Sequence, residues 1–193
     1  MASAPRTRDS LAVVILAGGD GRRMGGGKPQ RLLGERSLLD RAVERARSWS
    51  KTVAISVRDR AQIGEAEVPM VLDPPGLAGP LAGLAAARGL GCARVLTIPC
   101  DMPFLPDDLP SRLAATLPGH AAVLASAGGR PLPVCGLWTA EALAGIEEYA
   151  ASGQTSLVGF ARTIGFAIAE LEDAAADNLN TPAELAAAAA RLG

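Results

Sequence analysis

Short apolar runs alternate with helical patterns along most of the chain, and this alternation constrains the fold more than any other feature. Several runs are apolar throughout, which is typical of strands that are covered on both faces. Such alternation predicts an α/β fold with a doubly wound, mostly parallel sheet and helices on both faces. The predicted strands cover residues 11–17, 52–57, 68–72, 94–98, 121–125, 133–137 and 166–171.

Helix ends are marked by capping residues, prolines and glycines. Thr181, Pro182 and Glu184 form a capping box before an alanine-rich terminal helix. Residues 1–10 are predicted to be a loose tail, and residues 11–193 a single domain. Three other helix starts are predicted: at Ser37, at Pro80 with an end near Gly89 or Gly91, and at Thr139 with an end by Gly153.

Composition excludes several classes of function. The net charge is -1 and aromatic residues make up 3% of the chain, which argues against a nucleic-acid partner. The three cysteines show no Cys-x-x-Cys spacing and His120 is the only histidine, so a disulfide framework or a multi-histidine metal site is not expected. A cytoplasmic location is predicted, with no membrane span, because no apolar run approaches the ~20 residues that one needs.

The first predicted strand leads into a glycine-rich loop that suits a phosphate group. Residues 16–28 contain six glycines and three cations, Arg22, Arg23 and Lys28. Glycines let backbone N–H groups approach an anion, and the cations add charge-assisted hydrogen bonds. A P-loop is rejected because Arg22 and Pro29 stand where glycine and Ser/Thr are required. A dinucleotide fingerprint fits poorly because Gly25 comes one residue too late.

Two further loops follow predicted strands and carry a carboxylate. Asp73 begins a proline- and glycine-rich connection, where it either contacts a nucleotide or only starts a turn. Asp101 follows the fourth predicted strand, which lies beside the first in the common doubly wound order. A carboxylate there would face phosphates, so a Mg²⁺ ion is expected between them. The alternative role for Asp101 is to cap the following helix.

Four segments together resemble the molybdenum cofactor guanylyltransferase (MobA) family over nearly the whole chain. They are residues 16–28, 79–83, 99–106 and 178–182, and the segment 130–138 strengthens the likeness. The resemblance implies a Rossmann-like fold and transfer of GMP from MgGTP to the terminal phosphate of molybdenum-molybdopterin. The loop start Leu16-Ala17-Gly18-Gly19 resembles the guanylyl form, whereas cytidylyltransferases of the same cofactor tend to have Pro-Ala-Ala-Gly.

The resemblance also implies roles for individual residues. Asp101 would bind the magnesium ion and Lys28 the phosphates. From the charge chemistry we further expect Arg23 and Lys28 to offset charge on the leaving pyrophosphate, which completes a catalytic set with Asp101. The chain departs from the family in a loop one residue shorter before Lys28 and in Leu132, where the family has histidine. The predicted nucleotide contacts are Leu16, Ala17, Gly18, Gly19, Lys28, Ser56, Asp73 and Asp101; the predicted acceptor contacts are Gly79, Asn178 and Asn180.

Three other functions compete with this one. A nucleotidyltransferase with another base or acceptor, such as CTP or a sugar phosphate, would have much the same glycine loop. An NADP-dependent oxidoreductase is disfavoured by the spacing of that loop. A non-catalytic nucleotide-binding module would keep the fold and lose the lysine geometry. Transient contact with proteins that deliver or accept the cofactor is also expected.

Overall fold

The computed structural model describes residues 10–18 and 27–192, in which strands and helices alternate. The strands are β1 (Leu11–Leu16), β2 (Leu32–Leu33), β3 (Arg36–Ser37), β4 (Thr52–Val57), β5 (Met70–Leu72), β6 (Arg94–Pro99), β7 (Ala122–Ala127), β8 (Arg130–Thr139) and β9 (Phe166–Leu171). The α-helices are α1 (Leu38–Trp49), α2 (Gly79–Ala86), α3 (Leu109–Thr116), α4 (Ile146–Ala151), α5 (Leu157–Ile164) and α6 (Pro182–Ala190).

A seven-stranded sheet in the order β5-β4-β1-β6-β8-β7-β9 forms the centre of the fold. Strands β5, β4, β1 and β6 are mutually parallel, β8 is antiparallel to both of its neighbours, and β9 is parallel to β7. The predicted mostly parallel α/β sheet is therefore confirmed. Strand β1 lies between β4 and β6, as the common doubly wound order predicted.

Helices cover both faces of the sheet, because successive side chains of each strand point to opposite sides. On β1, Val13 and Ile15 pack on one face with α1 and α3, which contribute Val43 and Leu113 among others. The other face of β1 packs against α2, α4 and α5. The central strands are thus buried on both sides, which explains why their sequences are apolar throughout.

The predicted capping boxes are present at two helix starts. Ser37 Oγ accepts the Asp40 N–H at 3.0 Å, and Thr181 Oγ1 accepts the Glu184 N–H at 3.2 Å. Helix α2 has proline in its first turn and continues as a short 3₁₀ segment, Ala87–Leu90, before Gly91. These local signals therefore placed the starts of α1, α2 and α6 correctly, whereas α2 itself ends at Ala86 and only the 3₁₀ segment extends to the predicted end.

Several predicted bounds were wrong. Strand β5 is two residues shorter than predicted, and β8 is twice as long because it pairs with both β6 and β7. Thr139 ends β8, and its hydroxyl accepts the Ala142 N–H, so the regular helix after it begins only at Ile146. Helices α3 and α5 were not predicted. Gly159 inside α5 looks like a helix breaker, but a Cβ there would collide with the Tyr149 hydroxyl, so the close packing requires glycine.

Candidate functional site

The carboxyl ends of β1, β4, β5 and β6 open into a cleft of about 450 Å³. Ligands of doubly wound sheets bind at this edge. Gly19 and Arg23, two predicted site residues, lie outside the described residues. The other ten predicted site residues all line the cleft: Leu16, Ala17, Gly18, Lys28, Ser56, Asp73, Gly79, Asp101, Asn178 and Asn180.

Ser56 and Asp73 form a hydrogen-bonded pair at the ends of β4 and β5. The buried Ser56 hydroxyl donates to Asp73 Oδ1 at 2.8 Å, and the Asp73 N–H donates to the Val57 carbonyl at 3.0 Å. The Ser56 carbonyl accepts the Ala17 N–H at 3.2 Å, which joins the pair to the end of β1. The backbone of three neighbouring strands thus fixes the Asp73 carboxylate beside Gly18.

Helix α2 packs against this pair through a glycine. A Cβ on Gly83 would lie 2.5 Å from Leu16 Cδ2 and 2.6 Å from Ser56 Oγ, closer than any side chain tolerates. Gly79, at the start of α2, has a φ of 70°, which favours glycine because an L side chain would be strained there. Gly83 therefore sets how closely the helix approaches the sheet, and Gly79 allows the backbone turn at its start.

Asp101 follows β6 directly, and its carboxylate is mostly shielded from solvent. Its backbone carbonyl accepts the Leu179 N–H at 2.9 Å, and its Oδ2 accepts from the Lys28 ammonium. Its Oδ1 is buried and has no hydrogen-bond partner. The alternative of a helix cap is wrong, because the residue preceding α3 is Asp108 and not Asp101. A buried carboxylate oxygen without a partner beside an open cleft suits a cation ligand.

Lys28 enters the same site from the end of the glycine-rich loop. Gly27 before it has a φ of 60°, and Lys28 itself begins a 3₁₀ turn that continues through Pro29, so the backbone on both sides is constrained. The ammonium donates to Asp101 Oδ2, to Asn180 Oδ1 at 2.7 Å and to Asn178 Oδ1 at 3.4 Å. Lys28 thus reaches the site despite the shortened loop, and its three N–H donors are matched by three oxygen acceptors.

Asn178 and Asn180 reach the cleft because side chains alternate in direction along the extended segment before α6. Leu179 is buried against Leu33 and Leu38 in a small apolar cluster. Because side chains alternate along an extended backbone, burial of Leu179 directs its two neighbours to the opposite side. Glu184 in turn accepts the Asn180 N–H at 2.6 Å, so the capping box of α6 also holds the asparagine segment.

Cys100 lines the cleft and Cys135 lies in the core, and neither thiol is reactive. Burial, and secondarily the Asp101 carboxylate, raises the pKa of Cys100 to about 12. Burial alone raises the pKa of Cys135 to about 12. Both thiols are therefore neutral at physiological pH, whereas only the ionised thiolate is nucleophilic. The site contains no thiol suited to covalent catalysis among the described residues.

Sequence reasoning missed several residues of the cleft. Arg58 is the first residue after β4. The search for polar residues directly after strands, which selected Asp73 and Asp101, could therefore have found it. Val134 comes from the segment 130–138 and reaches the cleft because β8 lies next to β6. Pro29, Pro80 and Cys100 also line the cleft, each next to a predicted site residue, and Pro99 lies two residues before Asp101.

Comparison with known families decides between the competing functions. Residues 13–165 match the model of the MobA-like NTP transferase domain. The chain belongs to this family. It is therefore a nucleotidyltransferase, as the sequence predicted, and the oxidoreductase alternative is set aside.

Curated relatives match nearly the whole chain. A molybdenum cofactor guanylyltransferase from Cereibacter sphaeroides is 41% identical over 185 residues, which cover 93% of this chain and 95% of the relative. One from Rhodobacter capsulatus is 37% identical over 192 residues, covering 94% and 96%. These alignments extend past residue 165, where the family model ends, and so reach the asparagine segment.

Solved structures share the fold at low sequence identity. Molybdopterin-guanine dinucleotide biosynthesis protein A from Archaeoglobus fulgidus superposes with a TM-score of 0.78 at 20% identity, covering 94% of this chain and 98% of that one. The 2-C-methyl-D-erythritol 4-phosphate cytidylyltransferase from Thermus thermophilus gives 0.70 at 18% identity, with coverages of 94% and 98%. The Rossmann-like fold is thereby confirmed.

Two features are absent from residues 10–18 and 27–192. No helix there is long and apolar enough to cross a membrane. No group of three or more His, Cys, Asp or Glu side chains in the same residues could hold a metal ion by itself.

Proposed function

We propose that the protein transfers the GMP group of GTP to the terminal phosphate of molybdenum-molybdopterin, with release of pyrophosphate. Family membership and the names of the curated relatives support the reaction. The observation that carries it for this chain is the meeting of Lys28, Asp101, Asn178 and Asn180 in one cleft, although they are far apart in sequence.

Asp101 is proposed to hold Mg²⁺ together with the phosphates of the nucleotide. Its buried Oδ1 without a partner supports this assignment, and one carboxylate plus phosphate oxygens is a coordination that Mg²⁺ commonly adopts. When bound, the ion would neutralise charge on the phosphates and align them for displacement. Lys28 would bind the same phosphates, and Arg23, outside the described residues, is proposed to share that role.

The chemistry is an in-line displacement at phosphorus. An oxygen of the acceptor phosphate forms a bond to the α-phosphorus of GTP while the bond from that phosphorus to the bridging oxygen of pyrophosphate breaks. The attacking oxygen is already anionic, so no general base is required. His120 does not line the cleft, which agrees with this scheme. The protein then acts by positioning the two phosphates and compensating their charge.

The two sides of the cleft are proposed to bind the two substrates. Leu16, Ala17, Gly18, Ser56 and Asp73 would contact the guanine nucleotide, together with Gly19 outside the described residues. Gly79, Asn178 and Asn180 would contact the pterin acceptor. The proposal also includes a cytoplasmic location, a single domain over residues 11–193 and transient contact with proteins that deliver or receive the cofactor. The free thiols of Cys92, Cys100 and Cys135 suit a reducing compartment.

A transfer assay with each nucleotide tests the proposal directly. The purified protein, molybdenum-molybdopterin and MgGTP should yield the guanine dinucleotide and one pyrophosphate for each product, whereas MgCTP and MgATP should yield little. Incubation without acceptor provides the blank. Efficient transfer from CTP would overturn the choice of base. Pyrophosphate release with a sugar phosphate but not with the pterin would overturn the choice of acceptor.

Thermal melting separates binding from turnover in the same protein. A ligand present at a hundredfold excess over its Kd stabilises the folded state by ~2.7 kcal/mol, which raises the melting temperature by several degrees in a protein of this size. MgGTP should produce this shift, and MgCTP and NADPH should not. A shift with NADPH alone would contradict the proposal and favour an oxidoreductase.

A further inference from the structure

The Lys28 ammonium lies beside the Asp101 carboxylate, the group proposed to hold the metal ion. It donates to the Asp101 carboxylate and to the amide oxygens of Asn178 and Asn180, so its surroundings are three oxygen acceptors. Carboxylate and amide oxygens are also the ligands that Mg²⁺ and Mn²⁺ accept. The lysine therefore lies within a set of oxygens that suits a divalent cation.

Both partners of this ion pair are shielded from water. The Lys28 side chain is 11% exposed and the Asp101 side chain is 14% exposed. Two cations at such a site repel strongly because little water screens them, and a shielded carboxylate without any cation is costly. A divalent ion at Asp101 would therefore be repelled by the ammonium, and loss of the ammonium alone would leave the carboxylate without a cation.

We propose that Lys28 is the built-in counter-cation of Asp101 and is exchanged for the divalent ion only when the metal arrives with nucleotide phosphates. The phosphates then accept the ammonium that Asp101 releases, so positive charge is never left without a partner. A free divalent ion brings no such acceptor and binds weakly. Lys28 thus makes metal and nucleotide bind as one unit. This inference rests on the proposed role of Asp101 as metal ligand.

Binding of Mn²⁺ alone, with no nucleotide or acceptor present, tests the exchange. The loss of the free Mn²⁺ signal in electron paramagnetic resonance gives the affinity for the full-length protein. Lys28→Met removes the competing charge and should bind Mn²⁺ at least ~10-fold more tightly than the unmodified protein. Lys28→Arg keeps the charge and should stay within about twofold of the unmodified protein. Lys51→Met, which removes an exposed lysine outside the cleft, is the matched control and should leave the affinity unchanged.

Thermal stability provides a second measurement on the same variants. Without metal, Lys28→Met leaves Asp101 without a cation and should lower the melting temperature, and Mn²⁺ should restore it. Mn²⁺ should not raise the melting temperature of the unmodified protein. If Lys28→Met does not fold, Lys28→Gln replaces it with the same expected direction.

Equal Mn²⁺ affinity in Lys28→Met and the unmodified protein would overturn the exchange. Absence of Mn²⁺ binding in both would overturn it as well, together with the assignment of Asp101 as a ligand. Because the assay contains no substrate, its result is independent of which nucleotide or acceptor the enzyme uses. If the unmodified protein transfers GMP but Lys28→Met binds Mn²⁺ no more tightly, the proposed function stands and only the exchange is rejected.

Discussion

The nucleotide side and the acceptor side of the cleft are built in different ways. On the nucleotide side, Ser56 and Asp73 end adjacent parallel strands, and backbone hydrogen bonds between those strands hold them. On the acceptor side, Asn178 and Asn180 lie about 150 residues from Lys28, the proposed phosphate ligand, and they meet it through side-chain hydrogen bonds. The sheet fixes one side, whereas the other depends on a few polar contacts around one ammonium.

This difference predicts different responses to substitution. The position of Asp73 follows from the fold, so replacing it should change binding chemistry without moving its neighbours. The Asn178–Asn180 segment is anchored by one buried leucine, by the Asp101 carbonyl and by Glu184. Loss of one of these anchors should therefore move the whole segment and, with it, the contacts to Lys28 and Asp101.

Asp101 lies where the two sides meet, and its replacement should have the largest effect. Asp101→Asn keeps the shape of the side chain and removes the charge that would hold a divalent ion. The kcat should therefore fall by roughly 10²- to 10³-fold, which is the usual cost of losing one electrostatic stabiliser of a transition state. Steady-state transfer with saturating MgGTP measures this.

The matched control for that variant is Asp107→Asn. Asp107 is 95% exposed and pairs with Arg45 away from the cleft, so its loss should leave turnover near normal. Circular dichroism establishes that both variants are folded. Near-normal turnover in a folded Asp101→Asn protein would reject Asp101 as metal ligand. Asp101 would then not be the residue that links the nucleotide side to the acceptor side.

The two sides also differed in how far the sequence alone could predict them. Apolar runs followed by Asp73 and Asp101 predicted the strand ends, because parallel strands place their carboxyl ends at one edge. The assignment of Asn178 and Asn180 to the acceptor came from the family resemblance, because two amides before a capped helix are equally typical of a turn. Their approach to Lys28 depends on Leu179 packing against Leu33 and Leu38, a contact between distant parts of the chain that periodicity does not report.

Some features of the fold were beyond sequence patterns for the same reason. Strand β8 is longer than its apolar run because it pairs with strands on both sides, and α5 contains a glycine demanded by Tyr149. Arg58 could have been predicted from its place after β4, whereas Val134 could not, since β8 joins the site only through the order of strands.

Gly83→Ala should have the next largest effect and act on the nucleotide side. The new methyl group would collide with Leu16 and Ser56, which must shift. Overpacking of this kind costs about 1–3 kcal/mol, which lowers the melting temperature of a protein this size by roughly 2–10 °C. GTP affinity should fall as well, because Ser56 holds Asp73. Gly89→Ala is the control, since a Cβ there meets nothing within 4 Å. Equal melting temperatures for the two variants would contradict the close packing of α2.

A pair of variants separates the two sides kinetically. Asp73→Asn should raise the KM for GTP by about tenfold, the cost of one charged hydrogen bond, and leave the KM for the acceptor unchanged. Asn180→Ala should do the reverse, with a KM for the acceptor about tenfold higher. Steady-state kinetics with each substrate varied at saturation of the other measures the split. If both variants changed the same KM, the assignment of two sides would be wrong.

Glu184 gives the smallest predicted effect and tests how the acceptor side is held. The Asn180 N–H and the Thr181 N–H, which Glu184 accepts, together with the nearby Lys28 charge, lower its pKa from the ordinary value of 4.5. A carboxylate with a lowered folded-state pKa stabilises the protein above its unfolded pKa, and this stability is lost as the pH falls through the folded value. Glu184→Gln should therefore unfold more easily than the unmodified protein at neutral pH, and the difference should shrink as the pH falls below the ordinary pKa of 4.5. Urea denaturation at a series of pH values measures the difference, with Glu141→Gln, an exposed carboxylate away from the cleft, as control. A difference that persists unchanged at acid pH would mean that the charge of Glu184 does not hold the asparagine segment, and the acceptor side would then depend on Leu179 alone.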